Sequence, residues 1–469
     1  MSDPRPARTL GELRASGWES RSVREEIRAN LVARLRSGEP LVPGIVGYDD
    51  TVIPALVHAL LVGHDVIFLG ERGQAKSRLI RSLVDLLDPW IPEVEGSEIH
   101  DDPFRPVSPW ARRVVGEQGD ATPIRWVPRE ERYAEKLATP DTSVADLLGD
   151  VDPVKVARGR TLADEETLHF GLLPRTHRGI FCINELPDLT EKVQVGLFNV
   201  LEERDLQVRG YRIRLPIDVL VVASANPEDY TSRGRIITPL KDRYAAQIRT
   251  HYPATTELEL AIARQEASIP EIPGVRWRVP PFMEEIVAEL TFAARASPDV
   301  SQVSGVSVRM TIANYETLVA SAIHRALRTG ESLAVPRISD LAALSASTAG
   351  KLELEYAGSE RSEEEVVRDL LRRAVRRVFD ERVPEEGTAS VVEAFQQGWQ
   401  VEVGADMPAE EVLTGLDHIP GLREGAAGIA GDANPASVAS AVEFILEGLH
   451  LHNRLNKSAV EGRARYARR

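Results

Sequence analysis

Residues 65–77 read DVIFLGERGQAKS, a short apolar run broken by a glycine-rich turn that leads straight into RLIRSLVDLL. A strand, a loop and a helix in that order are the setting in which a P-loop works. Gly70, Glu71, Arg72, Gly73, Gln74, Ala75, Lys76 and Ser77 form the loop. Gly70 and Gly73 let the backbone turn so that successive N–H groups converge on a phosphate, aided by the helix that follows. Lys76 would then reach the β- and γ-phosphates, and the Ser77 hydroxyl would take a place on Mg²⁺. Ala75 stands where the strict G-x-x-x-x-G-K-[ST] pattern has its last glycine, and alanine fits there if its φ is negative. The expected ligands are ATP and Mg²⁺.

The chain has 469 residues, enough for two or three domains each with its own core. Hydrophobic residues at 43% and charged residues at 28% describe an ordinary globular protein. No apolar run approaches the length of a membrane-spanning helix, and MSDPRPARTLGEL has no apolar h-region. The one cysteine, Cys182, excludes an internal disulfide and suits a reducing compartment. It sits in the apolar run GIFCI, where it reads as a buried small hydrophobe. A net charge of −15 argues against general nucleic-acid binding. The expected location is the cytoplasm.

Hydrophobic periodicity divides the chain. Residues 1–38 read as an N-terminal tail and a helix over 21–37 that stops at Gly38. Residues 39–253 read as an α/β nucleotide-binding domain. Its near-continuous apolar strands, at GIFCI, IDVLVVASANP and AAQIRTHYP as well as 65–69, alternate with helices, which indicates a parallel sheet covered on both faces. Between about 90 and 165 the periodicity fades into long loops or inserted hairpins, and the acid pairs Asp101–Asp102 and Glu165–Glu166 read as solvated. LQVRGYRIRL reads as a hairpin turning at Gly210. Residues 254–384 read as a helical lid, with helices at 254–268, 282–297, 307–328, 338–350 and 363–380. Residues 385–469 read as a mainly helical extension with a helix at 435–456, ending in a basic stretch, EGRARYARR, expected to be disordered or partner-binding. The histidines show no metal-ligand spacing.

Hydrolysis needs a second strand that delivers polar groups toward Mg²⁺ and water. GIFCINELPDL places Asn184 and Glu185 at a strand's C-terminal end, where ligands sit in open α/β sheets. Glu185 can orient and deprotonate a water. Asn184 occupies a position where an aspartate is expected; its amide can hold Mg²⁺-bound water, with less electrostatic attraction. Asn226, ending IDVLVVASANP, is placed to hold the attacking water. In TPLKDRY, Arg243 is either a finger for a neighbouring subunit's site or half of a surface salt bridge. Arg309, at a helix start in SGVSVRMTIANYE, reads either as a γ-phosphate contact from a second domain or as a solvated charge.

The order of the P-loop, GIFCINELPDLTEKVQVGLFNVLEERDLQVRG, VVASANPEDY, TPLKDRY and SVR resembles the MoxR and magnesium-chelatase branch of AAA+ ATPases over roughly residues 40–350. The resemblance implies an AAA+ fold with an α-helical lid. It places Gly70 to Ser77 on Walker A, where chelatase-like members also use alanine before the lysine. It places Asn184 and Glu185 on Walker B, Asn226 on sensor 1, Arg243 on the arginine finger and Arg309 on sensor 2, with Arg235 the alternative finger. LHFGLLPRTHRG resembles the chelatase segment before Walker B, VADLLGDVDPVKVARGR its helix-2 insert, and LQVRGYRIRL the hairpin before sensor 1. The departure at Asn184 bears on the rate of hydrolysis more than on binding.

What the resemblance implies is an ATP-hydrolysing, chaperone-type ring, a hexamer, that remodels or activates a protein partner. Its companion would carry a von Willebrand A domain on a separate chain, since no Asp-x-Ser-x-Ser motif occurs here. The alternatives are the motor subunit of a magnesium chelatase, and a scaffold that binds nucleotide and barely hydrolyses it. A sigma-54 activator is set aside because the chain has no GAFTGA loop.

Overall fold

Four runs that read as buried strands, and one that the sequence pattern hides, pair into a single parallel sheet. The computed structural model describes residues 7–151, 168–207, 214–226, 234–301, 305–355, 361–414, 416–460 and 462–469. The acid pair Glu165–Glu166 and the expected turn at Gly210 lie outside the described residues. The chain divides into two compact units, Met1–His251 and Tyr252–Arg469.

In the first unit the strands are β1 (Val66–Leu69), β2 (Tyr133–Leu137), β3 (Gly179–Asn184), β4 (Val219–Ala225) and β5 (Ala246–Arg249). Their order is β5-β1-β4-β3-β2, with every neighbouring pair parallel. All of β3 and β4 is buried, as interior strands must be when helices cover both faces. Alternate residues serve opposite faces. Val66, Phe68, Ile180, Cys182, Leu220 and Val222 pack with Leu79 and Ile80 of the helix Lys76–Ser82. Ile67, Phe181, Ile183, Val219, Val221 and Ala223 pack with Val193, Leu197, Val200 and Leu201 on the other face. The α/β fold is as expected.

The helix Val23–Ser37 begins at a Ser22 capping box and stops at Gly38 in the left-handed region. It is no loose arm. Its Val23, Ile27 and Leu31 join the core of the first unit, and Glu26 forms a buried ion pair with Arg132 at 2.7 Å.

Two expectations for 90–165 are corrected. Strands Trp90–Val94 and Ile124–Pro128 pair antiparallel, but the same stretch also supplies β2, a member of the main sheet. YAEKL carries two charges in five residues because β2 is an edge strand, with water on one flank. Nor is Asp101–Asp102 solvated. Asp101 is fully buried, and its carboxylate accepts from Ser97 Oγ, the Val107 and Ser108 amides and Ser108 Oγ at 2.6–2.8 Å. Asp102 accepts from the Phe104 amide at 2.8 Å. The pair organises its loop from inside.

The second unit is built on helices Thr256–Glu266, Pro281–Arg295, Val308–Thr329, Glu363–Arg382 and Pro435–Leu451. One hydrophobic cluster runs from Ala263 through Phe395 and Phe444 to Tyr466, so residues beyond 384 share a core with the helices before them. The last helix ends at Leu451, short of the expected 456. Asn453 turns left-handed at φ 59° and the Arg454 amide bonds back to the Leu449 carbonyl at 2.8 Å. The chain then forms strands Leu455–Val460 and Arg463–Arg468, which pair antiparallel with each other, while Val401–Val403 pairs with the second. The basic end is therefore ordered. Arg463 pairs with Asp406 and Arg465 with Glu402, while Tyr466 is buried against Glu447.

Candidate functional site

The loop after β1 is shaped by close contacts. A Cβ on Gly70 would lie 2.0 Å from Thr250 Oγ1 and 2.2 Å from Gln74 Oε1, so a larger residue would have to displace both side chains and break their hydrogen bond. Gly73 takes a φ of 74°. Thr250 Oγ1 donates to Gln74 Oε1 at 2.7 Å. The Tyr48 hydroxyl lies 2.8 Å from the Gln74 carbonyl and 2.9 Å from that of His251. Tyr48 and Thr250 thus buttress the loop, a role no short motif announces.

Ala75 departs from expectation. Its φ is 56°, in the left-handed region, where a Cβ costs about 1 kcal/mol or more. Glycine would relieve that strain but lose more chain entropy on folding. Ala75→Gly should therefore raise stability by about 0.5 kcal/mol, read as a shift in the urea midpoint at unchanged slope.

Lys76 is buried beneath the loop. Its ammonium donates to the carbonyls of Gly70 and Glu71, the latter at 2.8 Å, and to Asn226 Oδ1 at 2.6 Å. Asn226 Nδ2 in turn donates to Glu185 Oε2 at 2.7 Å. Three residues singled out from separate motifs are thus joined by hydrogen bonds at the C-terminal edge of the sheet. Glu185 itself sits at φ 54°, a strained conformation for a side-chain-bearing residue. Its amide donates to Ser224 Oγ at 3.3 Å.

Asn184 is buried at the end of β3. Its Nδ2 donates to Glu135 Oε1 on β2, and its Oδ1 accepts from Ser224 Oγ at 3.1 Å. The Cys182 thiol lies 3.4 Å from the same oxygen, and burial pushes that thiol up to about 12. Glu135 also accepts both Nε and Nη2 of Arg81, at 2.9 and 3.0 Å, and the Tyr133 hydroxyl at 2.9 Å. Arg81 above all holds the Glu135 carboxyl below the usual carboxylate range. Glu135 escapes sequence reasoning because it lies in a strand that hides there.

Arg243, at the end of the helix Thr238–Arg243, is engaged within its own chain. It meets Glu202 at 2.5 Å, donates to the Pro239 carbonyl at 2.7 Å and lies 4.3 Å over the Phe198 ring. Arg235 is far more exposed, its side chain 75% accessible and 4.0 Å from Glu191. Arg309 belongs to the second unit, exposed in the first turn of Val308–Thr329.

These residues fit a nucleoside triphosphate with Mg²⁺. The loop is crowded against a Cβ at Gly70, a buried ammonium lies under it, and Ser77 is exposed at the start of the helix. Ser77 and Asn184 would be the oxygen donors toward Mg²⁺, both of them neutral. A parallel sheet in this order, with that loop after β1 and polar residues closing β3 and β4, is the arrangement of a P-loop NTPase.

Comparison with known proteins gives the branch. Residues 160–241 match the Sigma-54 interaction domain family, a stretch that includes Asn184, Glu185 and Asn226. The magnesium-chelatase subunit ChlI of Nostoc sp. is 27% identical over 254 residues, 53% of this chain and 62% of that protein. The chloroplastic ChlI-1 of Arabidopsis thaliana is 27% identical over 244 residues, 50% of this chain and 53% of its own length. The chain thus spans somewhat over half the length of these curated relatives. A structure of the complex between subunits BchI and BchD of magnesium chelatase aligns over 69% of this chain and 97% of its own, at 22% identity and a TM-score of 0.36. These matches support an AAA+ ATPase of the magnesium-chelatase-like branch. Among the described residues no helix is long and apolar enough to cross a membrane.

Proposed function

We propose that this chain binds ATP with Mg²⁺ and hydrolyses it, as one subunit of a ring that remodels or activates a protein partner. The observation that carries the reading is the hydrogen-bonded path from Lys76 through Asn226 to Glu185. It joins a phosphate-binding cation, a water-holding amide and a general base within three side chains.

The resting contacts suggest how the site responds. Lys76 is satisfied by two loop carbonyls and Asn226, and a triphosphate offers it stronger, charged acceptors. When Lys76 turns to the phosphates, Asn226 Oδ1 is released and can hold water. Glu185, already bonded to Asn226 Nδ2, then lies beside that water to take its proton. By the family resemblance Arg309 would supply a charge to the γ-phosphate, and Arg243 or Arg235 one from a neighbouring subunit. The ring we propose is a hexamer in the cytoplasm, working with a separate von Willebrand A domain protein, as in the chaperone-type MoxR reading.

The second reading is the motor subunit of a magnesium chelatase, favoured by the names of the curated relatives. The third is a nucleotide-gated scaffold, favoured by the neutral Asn184. Turnover by the purified chain separates the third from the other two.

The nucleotide site itself is tested by Lys76→Ala. Removing the buried ammonium should weaken ATP binding by roughly 100-fold or more. Calorimetric titration giving the parental affinity for the variant would sink the P-loop assignment.

A further inference from the structure

The negative charge expected beside Mg²⁺ is absent from position 184 but present one strand away. Glu135 lies opposite Cys182 in the parallel pairing of β2 with β3, and the next same-face position of β3 is Asn184. Neighbouring strands run about 4.8 Å apart, and the hydrogen bond from Asn184 Nδ2 to Glu135 Oε1 closes that gap. Ser224 Oγ holds the amide's oxygen at 3.1 Å, so Asn184 is fixed at both ends. Cys182, on the same face as both, packs with Leu79 and Ile80 of the P-loop helix. That helix reaches Glu135 directly through the two hydrogen bonds from Arg81. An aspartate at 184 would set two carboxylates at hydrogen-bond distance with no donor between them. Asparagine at 184 is what allows a carboxylate at 135.

We infer that Glu135 is a positioning residue for Mg²⁺, acting through Asn184 to supply from β2 the negative charge that β3 lacks. The inference rests on the nucleotide-binding reading above. Glu135 orients the Asn184 amide, and its charge lies one hydrogen bond behind the group that would face the ion's water shell. Partners behind metal ligands commonly tune affinity by 10–100-fold, so the contribution is measurable.

The test is binding, not turnover. A fluorescent ATP analogue is titrated against the intact chain across a series of free Mg²⁺ concentrations, and again in EDTA. Glu135→Gln keeps the shape and removes the charge. It should raise the Mg²⁺ concentration that gives half-maximal tightening by about tenfold and leave the affinity in EDTA unchanged. The double variant N184D/E135Q exchanges donor and acceptor between the two strands and should return the midpoint close to the parental one. Arg81→Ala removes the ion pair but keeps the charge, and should move the midpoint less than about twofold, since that pair is solvent-exposed.

An E135Q midpoint equal to the parent's would overturn the inference, as would an Arg81→Ala shift as large as that of E135Q. A double variant no better than E135Q would overturn it too. If E135Q fails to fold, the double variant alone decides: a parental midpoint supports the exchange and a tenfold shift refutes it. A parent chain that binds no analogue even at saturating Mg²⁺ would overturn the nucleotide reading itself and this inference with it, a failure distinct from a shifted midpoint.

Discussion

Glu185→Gln should leave ATP binding intact and cut turnover by roughly 10²–10⁴-fold, the range of a lost general base. The geometry keeps the two effects apart. Lys76 donates to Asn226 and the loop carbonyls, contacts that glutamine at 185 leaves in place. A glutamine carbonyl can still accept from Asn226 Nδ2, which now meets Glu185 Oε2 at 2.7 Å. What glutamine cannot do is take a proton from water. Phosphate release under single-turnover conditions, measured beside nucleotide affinity, gives both numbers on one preparation. Hydrolysis at the parental rate would remove Glu185 from the role of base. The left-handed backbone at Glu185 adds a second expectation: glutamine tolerates that conformation as poorly as glutamate, so the variant should match the parent in thermal stability.

The candidate site was largely legible in sequence because each part lies in a short segment with its own pattern. The loop 70–77, the end of β3 at Asn184–Glu185 and the end of β4 at Asn226 all follow apolar strands, and parallel pairing brings strand ends to one edge. What was not legible depends on pairings between distant segments. β2 is a polar edge strand whose membership in the sheet is decided by its partner β3, and Glu135 was lost with it. Asp101 looks like a surface acid until the Ser97 and Ser108 groups close around it. The end of the chain reads as a charge run, yet Ala464 and Tyr466 face inward, alternating with Arg463 and Arg465 along the strand. The sign of φ at Ala75 is set by the loop's closure over Thr250 and Tyr48, not by the residue itself.

Arg243→Ala should have the largest effect of all. In the ring reading Arg243 completes the site of a neighbouring subunit, and such fingers contribute on the order of 10³–10⁵ in rate. The contacts Arg243 makes within its own chain are no obstacle. Its pair with Glu202 is partly exposed, worth about 0–1 kcal/mol, and the stacking over Phe198 adds about 0.5–1 kcal/mol. Releasing these and the hydrogen bond to the Pro239 carbonyl, worth about 0.5–1.5 kcal/mol, costs about 3.5 kcal/mol at most, whereas a 10³-fold acceleration corresponds to about 4 kcal/mol of transition-state stabilisation. Arg243→Ala should therefore bind ATP normally and turn over at least about 1,000-fold more slowly, with Arg235→Ala close to the parent. The opposite ranking would assign the finger to Arg235, whose high exposure needs no release. Activity per subunit should also rise with protein concentration as rings form. The sharpest measurement mixes Arg243→Ala with Lys76→Ala. A Lys76→Ala subunit still presents Arg243 to the intact loop of an Arg243→Ala neighbour, so part of the activity should return. Mixed rings shown to contain both variants, yet inactive at every ratio, would mean that no arginine at 243 acts between subunits.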